Sequence, residues 1–193
     1  MWTWFQARKI RNRYLEFVRL DKYIPALIEL SRDTSVPKYA THLVYLTSAD
    51  DTREIETAVV ESILENHPKR ADIYWLVHVD VVNEPYRMEY KVNILAPEDV
   101  IRIDFRIGFR VAPRVNLMFE KVVQDLLSSK EVDVTSRYES MEKQNKIGDF
   151  SFVVLEKFLS YENELPFYEK IIMDSYFLLK RLSLSDEKSF GLD

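Results

Sequence analysis

Hydrophobic residues along the chain fall into five runs that are typical of β-strands. Residues 41–47 are almost continuously apolar, as in a strand buried on both faces. Residues 73–82 are rich in Val, Ile, Tyr and Trp, and residues 87–94 alternate apolar and polar positions. Residues 101–108 alternate strictly, which predicts a half-buried antiparallel strand with its charged side chains in solvent. Residues 150–155 predict a fifth strand.

Between these runs, apolar residues recur at helical spacing. This spacing predicts helices over about residues 3–18, 22–32, 52–65, 113–129 and 165–182. Pro25 and Pro113 stand in first turns, where a missing N–H is tolerated. Residues 130–148 are polar without periodicity and are predicted to be irregular. The order predicts an α/β (α+β) fold, a mixed sheet of about five strands with packed helices, preceded by an N-terminal helix.

Composition excludes several classes of site. The 193 residues contain no Cys, which excludes disulfides, thiolate metal sites and thiol nucleophiles. Only three Gly are present, too few for a phosphate-binding glycine loop. The chain has no run of 18 apolar residues that would span a bilayer, and no signal-peptide pattern at its start.

Charge divides the chain at about residue 22. Residues 1–22 carry six basic and two acidic side chains, a local charge of +4. Because the net charge of the whole chain is −5, the other residues together carry −9. An acidic body argues against nucleic acid as a partner, because phosphate contacts need clustered Lys and Arg. We therefore divide the chain into a basic head, residues 1–22, and a domain, residues 23–193.

The head has aromatic residues before its basic ones. The aromatic residues are Trp2, Trp4 and Phe5. The basic residues that follow them are Arg8, Lys9, Arg11 and Arg13. This order is typical of the cytoplasmic end of a transmembrane helix, which would place an anionic membrane surface beside the head. An amphipathic surface helix with an exposed basic face fits the same order.

The three histidines and the absence of a nucleophile motif do not indicate an active site. His42 and His78 lie on predicted interior strands and are interpreted as structural, and His67 follows a predicted helix. No serine lies in the context of a nucleophile elbow. We expect no enzymatic activity, no metal and no cofactor.

One cluster could bind a ligand. Thr47, Ser48, Asp50 and Asp51 lie at a predicted strand-to-helix junction, where open α/β sheets place ligands. The two adjacent aspartates oppose a simple phosphate site, and capping of the next helix explains the same residues. We favour capping, and we predict these four residues as the binding residues if a ligand binds.

Arginines on the strictly alternating strand, or just past it, form a second candidate. Arg102, Arg106 and Arg110 fall on one side, with Asp104 between them. A solvated face is preferred to an anion-binding or partner-binding patch. Tyr74 and Trp75 are predicted to be core residues rather than a stacking platform.

The order of the motifs resembles that of a known family. The residues concerned are Trp4 with Arg8-Lys9, Val36-Pro37 through Thr41-His42-Leu43-Val44-Tyr45, Glu84-Pro85-Tyr86, and Arg106-Ile107-Gly108-Phe109 followed by Pro113 and Val115. In this order they resemble the cytosolic C-terminal domain of KUP (KUP/HAK/KT) potassium uptake transporters, over nearly the whole chain. The segment Asn66–Arg70 and the tail Ser189–Asp193 depart from the common pattern of that family.

The resemblance implies a regulatory or assembly domain of a proton-coupled potassium importer, at the cytoplasmic face of the cell membrane. Its partners would be the transmembrane portion of the same protein, a second copy in a homodimer, and a nucleotide regulator. K⁺ and H⁺ would be substrates of the full-length protein, and their sites would lie in the membrane portion. Residues 1–22 would then include the end of the last transmembrane helix.

A second interpretation stays open from the residues alone. The chain could be a free-standing α/β protein that binds or hydrolyses a small molecule, with the basic head as ordinary surface. The genomic reading frame upstream of Trp2 distinguishes the two, since a transporter requires coding sequence for about a dozen apolar helices there.

Overall fold

The computed structural model describes residues 15–65, 67–112, 114–129, 132 and 148–155. The strands in this part are β1 (Phe17–Arg19), β2 (Lys38–Thr47), β3 (Glu54–Glu56), β4 (Arg70–Val82), β5 (Met88–Ala96), β6 (Val100–Gly108) and β7 (Phe150–Val153). The α-helices are α1 (Ile24–Arg32), α2 (Thr57–Leu64) and α3 (Val115–Ser129). A 3-10 turn, Leu20–Lys22, precedes α1.

Five strands form one mixed sheet in the order β5-β6-β4-β2-β7. Strands β2, β4, β6 and β7 are parallel, and β5 is antiparallel to β6. Strands β1 and β3 form a separate two-stranded antiparallel ribbon. The prediction of a mixed five-strand sheet with packed helices is confirmed.

Two hydrophobic clusters cover the two faces of the sheet. Alternate residues of β4, such as Tyr74 and Trp75, point to opposite faces, so each face receives its own cluster. The cluster around Trp75 contains the apolar side of α3, and the cluster around Tyr74 contains residues of α1 and α2. Both side chains are fully buried, as predicted.

His42 is a buried member of the α3-side packing. Its ring stacks on Phe150 of β7 at a centroid distance of 4.3 Å. Its Nδ1 lies 3.4 Å from Trp75 Nε1, which donates to it. The burial and these contacts agree with the structural interpretation of this histidine.

Two predicted helices differ from the structure at their ends. Phe17 and Val18, placed in the helix over 3–18, belong to β1, because their backbone pairs with β3. The helix predicted from residue 52 begins instead at Thr57, because β3 occupies 54–56. Leu20 is buried in the α1–α2 cluster, so the packed part of the chain includes residues before the predicted boundary at 22.

The predictions for the arginines in β6 and just after it are only partly confirmed. Arg106 and Arg110 are exposed, as expected for a solvated face. Arg102 is fully buried, and its prediction as a solvent-facing residue was wrong. Strict alternation indicated one wet face, but β6 is an interior strand between β4 and β5, and the loop after β2 covers that face at Arg102.

Other predicted segments lie outside the described residues. These are residues 3–14 of the first helix, the helix over 165–182, Pro113, and most of the irregular segment 130–148. No helix in the described ranges has both the length and the hydropathy needed to cross a membrane.

Candidate functional site

The segment 48–53, here called the β2–β3 loop, leaves the carboxyl end of β2 beside the neighbouring parallel strand β4. Carboxyl ends of parallel strands are where open α/β sheets place their ligands. The loop follows Thr47 and leads into β3. Two buried charged side chains from outside the loop hold it in place, Glu56 from β3 and Arg102 from β6.

Glu56 accepts hydrogen bonds from the start of the loop. Its Oε2 receives the Thr47 hydroxyl at 2.6 Å. Its Oε1 receives both the backbone N–H and the hydroxyl of Ser48, each at 2.7 Å. The side chain is 1% exposed, so these bonds replace the water that a carboxylate would otherwise bind. Charge-assisted bonds of this kind fix the direction in which the loop leaves β2.

Arg102 binds the remainder of the loop and the first residue of β3. Its Nη2 donates to the Ala49 carbonyl at 2.6 Å, and its Nη1 donates to the carbonyls of Asp51 at 2.9 Å and Glu54 at 3.4 Å. Its Nε donates to Asp104 Oδ1 at 2.8 Å, and the two side chains form an ion pair. A planar guanidinium suits this task, because its donors diverge in fixed directions.

His78 closes the loop on the β4 side. Its Nδ1 lies 3.2 Å from the Thr47 carbonyl oxygen. Its Nε2 lies 3.6 Å from Asp50 Oδ1, whose side chain is 95% exposed. The loop therefore presents an exposed carboxylate beside a nearly buried imidazole.

Asp51 is the second exposed carboxylate of the loop. The backbone N–H of Arg53 donates to its Oδ1 at 2.9 Å. This hydrogen bond is the main cause that holds the pKa of Asp51 below its ordinary value, and the guanidinium of Arg53 adds to it.

The four predicted ligand residues thus lie on one segment, but their roles differ from the capping interpretation. Ser48 bonds to Glu56 and not to helix amides, and α2 begins at Thr57 without a side-chain cap. The expected helix N-terminus is therefore not at this junction. Thr47 and Ser48 hold the loop, and Asp50 and Asp51 are the members that face solvent.

Sequence reasoning missed Glu56 and Arg102 as the residues that organise the loop. For Arg102 the sequence carries no signal of burial, since its alternation with Ile101 and Ile103 is that of a solvent-facing residue. For Glu56 the sequence carries no such signal either, because its burial depends on the pairing of β3 with β1.

The loop is also joined to the start of the described chain. The N–H of Leu20 donates to the Arg53 carbonyl at 2.8 Å, and the N–H of Thr57 donates to the Glu16 carbonyl at 3.0 Å. Between these bonds, Val18 is paired with Ile55. The chain that arrives from residues 1–14 is therefore hydrogen-bonded to the strand that follows the loop.

Two motifs of the family resemblance meet at the ends of β4 and β6. The N–H of Arg110 donates to the Pro85 carbonyl at 3.0 Å, and Nη1 of Arg110 donates to the Tyr86 hydroxyl at 3.2 Å. A Cβ on Gly108 would lie 2.5 Å from the carbonyl carbon and oxygen of Pro85. Glycine is required here because the Glu84-Pro85 turn passes directly over it.

The structure does not describe the predicted membrane-proximal residues. Trp2, Trp4, Phe5, Arg8, Lys9, Arg11 and Arg13 lie outside the described residues. Within the described ranges, no group of three or more His, Asp or Glu side chains is arranged to hold a metal ion.

Comparison with known proteins identifies the family. Residues 40–193 match the family described as "K+ potassium transporter C-terminal domain". The chain is 56% identical to a probable potassium transport system protein Kup of Cytophaga hutchinsonii, over all 193 residues and 30% of the relative. It is 54% identical to the Kup protein of Flavobacterium johnsoniae over its full length and 29% of the relative. A Kup protein of Clostridium perfringens is 36% identical, again with the whole chain covered and 29% of the relative.

The chain therefore spans slightly less than a third of the length of these curated relatives. No solved structure matches it. The match of 154 residues, 40 to 193, covers most of the chain and includes the central sheet except the first two residues of β2. The protein belongs to the family of potassium transporter C-terminal domains.

Proposed function

We propose that this chain is the cytosolic regulatory and assembly domain of a proton-coupled potassium importer. The family membership favours this function over that of a free-standing small-molecule-binding or hydrolytic protein. In this proposal K⁺ and H⁺ are substrates of the full-length protein, the transmembrane portion is the partner of the domain, and the domain lies at the cytoplasmic face of the membrane.

The observation that carries the proposal is the connection between the basic head and the β2–β3 loop. Residues 1–14 carry four basic and no acidic side chains, as expected beside an anionic membrane surface. The chain that follows them is hydrogen-bonded to both ends of β3 through Glu16 and Leu20. A displacement of residues 1–14 relative to the domain would therefore act directly on β3 and on the loop before it.

The β2–β3 loop is also our candidate binding site for the regulator. Asp50 and Asp51 face solvent at the carboxyl end of β2, while Thr47 and Ser48 are engaged by Glu56. A ligand that contacts the loop would bias its position and, through β3, that of β1. That the ligand is a nucleotide or a monovalent cation stays a prediction. Thermal-shift screening of the domain would test it, with Asp50→Ala as the control variant.

The connection itself is tested in the full-length transporter by substitution in β1. Glu16 and Leu20, each two residues from Val18, are hydrogen-bonded to the chain that contains β3. Hydrogen-bonded and non-hydrogen-bonded residues alternate along an antiparallel ladder. The N–H of Val18 therefore points towards β3, and the N–H of Arg19 points away from it. Val18→Pro therefore breaks the ribbon. Arg19→Pro is the matched control, because Arg19 already has a φ of −71°.

Potassium uptake is measured in a bacterium that lacks its own uptake systems, with the amount of transporter in the membrane as the normalisation. We expect Val18→Pro to change uptake by about fivefold or more, the lower end of ordinary coupling between sites. Arg19→Pro should leave uptake near the unsubstituted level. Equal uptake in the two variants, at equal membrane levels, would contradict the regulatory role.

A further inference from the structure

Strand β5 forms one edge of the central sheet. In the part of the chain that the structure describes, no strand pairs with its outer side. The N–H of Gly108 donates to the Arg87 carbonyl at 2.7 Å, so Arg87 and Gly108 form a hydrogen-bonded pair of the antiparallel ladder. Because such pairs alternate along an antiparallel ladder, the main-chain groups of Met88, Val92 and Ile94 point away from β6. A nine-residue edge of this kind is a template for another strand.

The side chains on the α3 side of β5 are apolar and accessible. Met88 is 53% exposed and Ile94 is 44% exposed. Tyr90 lies between them, packs against Phe105 and donates its hydroxyl to Asp125 of α3 at 2.7 Å. The apolar side chains of β5 therefore continue the face of the sheet that α3 covers. The hydrogen bond to Asp125 holds the ring of Tyr90 in position.

The opposite side of β5 carries charges in an ordered pattern. Glu89 is directly opposite Arg106 of β6, and Lys91 is directly opposite Asp104. On the next strand, Asp80 of β4 is opposite Arg106. Each row across the sheet thus alternates in sign and ends at the edge, one row on Glu89 and the adjacent row on Lys91.

We propose that two copies of this chain associate by antiparallel pairing of their β5 strands, with the two-fold axis at Tyr90. In this register Glu89 lies opposite the partner's Lys91, and Lys91 lies opposite the partner's Glu89. Met88 lies opposite the partner's Val92 on the apolar side. The two five-stranded sheets become one continuous sheet of ten strands.

Among the registers centred on residues 88 to 92, only this one places both Glu89 and Lys91 opposite a partner side chain of opposite charge. A centre at Met88 places Glu89 opposite the partner's Arg87 but leaves Lys91 opposite the partner's Pro85. A centre at Glu89 places two glutamates opposite each other, and a centre at Lys91 places two lysines opposite each other. A centre at Val92 places Glu89 opposite the partner's Leu95. A lysine on an edge strand by itself protects against pairing. A glutamate two positions before it makes the strand complementary to itself.

The alternation of charge continues across the proposed interface. One row reads Asp80, Arg106, Glu89 and then the partner's Lys91 and the partner's Asp104, so each charge has neighbours of opposite sign. Opposite charges on adjacent strands stabilise pairing and like charges oppose it. The adjacent row is the same sequence in reverse, as two-fold symmetry requires.

The test uses charge reversal in the full 193-residue chain, with molar mass measured by sedimentation equilibrium. The unsubstituted chain should be in a monomer–dimer equilibrium. Glu89→Lys and Lys91→Glu should each weaken the dimer by about tenfold or more, since two cross-strand pairs become repulsive. An equimolar mixture of the two variants should form a heterodimer, because both pairs that positions 89 and 91 make across the interface are again of opposite sign. The new like-sign pairs with Arg106 and Asp104 within each chain are the same in the single variants and in the mixture.

Glu120→Lys and Lys121→Glu on the exposed side of α3 are matched controls and should leave the dimer unchanged. Circular dichroism confirms that each variant is folded. A monomer at every concentration, or single variants that dimerise as well as the unsubstituted chain, would overturn the proposal, and so would a mixture that stays monomeric. This inference deepens the assembly role proposed above, and because it is tested on the chain alone, its failure leaves the regulatory role and the uptake experiment unaffected.

Discussion

The Arg102 guanidinium lies 2.6 Å from the Ala49 carbonyl oxygen, although 53 positions separate the two residues in the chain. This bond joins an interior strand to the loop at the carboxyl end of β2. The loop thus depends on a charge buried in the sheet, and substitution of that charge should affect stability strongly.

Arg102→Met keeps an unbranched side chain but removes the charge. Two loop carbonyls, the Glu54 carbonyl of β3 and Asp104 would lose their donor, and breaking a buried ion pair costs about 3–5 kcal/mol. We expect the free energy of unfolding in urea to fall by about 3 kcal/mol or more. Arg106→Met, on the exposed part of the same strand, should change it by less than about 0.5 kcal/mol. Equal effects of the two substitutions would show that Arg102 does not hold the loop.

Glu56→Gln keeps the shape of the side chain and removes one acceptor. An amide NH₂ would then face either the Thr47 hydroxyl or the Ser48 donors. A buried donor left without an acceptor costs about 1–3 kcal/mol, which urea unfolding would detect. Glu54→Gln, exposed and two residues earlier, is the control. A stability equal to that of the control would exclude Glu56 as the anchor of the loop.

Asp149 should contribute stability that depends on pH. Burial opposes its ionisation, but hydrogen bonds from the hydroxyl and N–H of Thr41 outweigh burial and lower the pKa of Asp149. A lowered pKa in the folded state means that the contribution is present above about pH 4 and is lost as the pH falls through the folded value.

Thr41→Val removes the hydroxyl donor and keeps the backbone donor. The pKa of Asp149 should rise, and the acid loss of stability should move to higher pH. An NMR titration of the Asp149 carboxyl carbon measures this directly. A pKa that does not change in Thr41→Val would contradict the assignment of its cause.

Truncation shows which part of residues 1–22 belongs to the packed domain. A chain that begins at Leu15 keeps β1 and should stay as stable as the full chain, whereas one that begins at Tyr23 loses the buried Leu20 and should be destabilised. Both should lose binding to anionic liposomes in co-sedimentation, because residues 1–14 carry four basic side chains. Binding that survives the shorter truncation would place the membrane contact elsewhere.

The sequence predicted the strands of the sheet well because their patterns are locally determined. Residues 41–47 and 73–82 are apolar on both faces, as strands β2 and β4 must be between two layers of helices. The apolar positions of α3 were also correct, since Val115, Met118 and Val122 repeat at helical spacing.

The organisation of the loop could not be predicted in the same way. Glu56 was placed inside a helix, because a three-residue strand has too few residues for a period of two to appear. Arg102 alternates with apolar residues exactly as a solvent-facing residue would. Its burial follows from the β2–β3 loop, whose contact with β6 joins residues 53 positions apart in the chain.

Strand β7 pairs with β2, and the residue that precedes it, Asp149, receives the N–H groups of Thr41 and His42. During synthesis, β2 therefore leaves the ribosome more than a hundred residues before its second neighbour exists. Until then one side of an apolar strand has no permanent partner, and such unpaired edges are the ones that aggregate or recruit chaperones. Because closing so long a loop is slow, addition of β7 should be the last step in forming the five-stranded sheet, and this sheet should be most vulnerable just before residue 150 emerges.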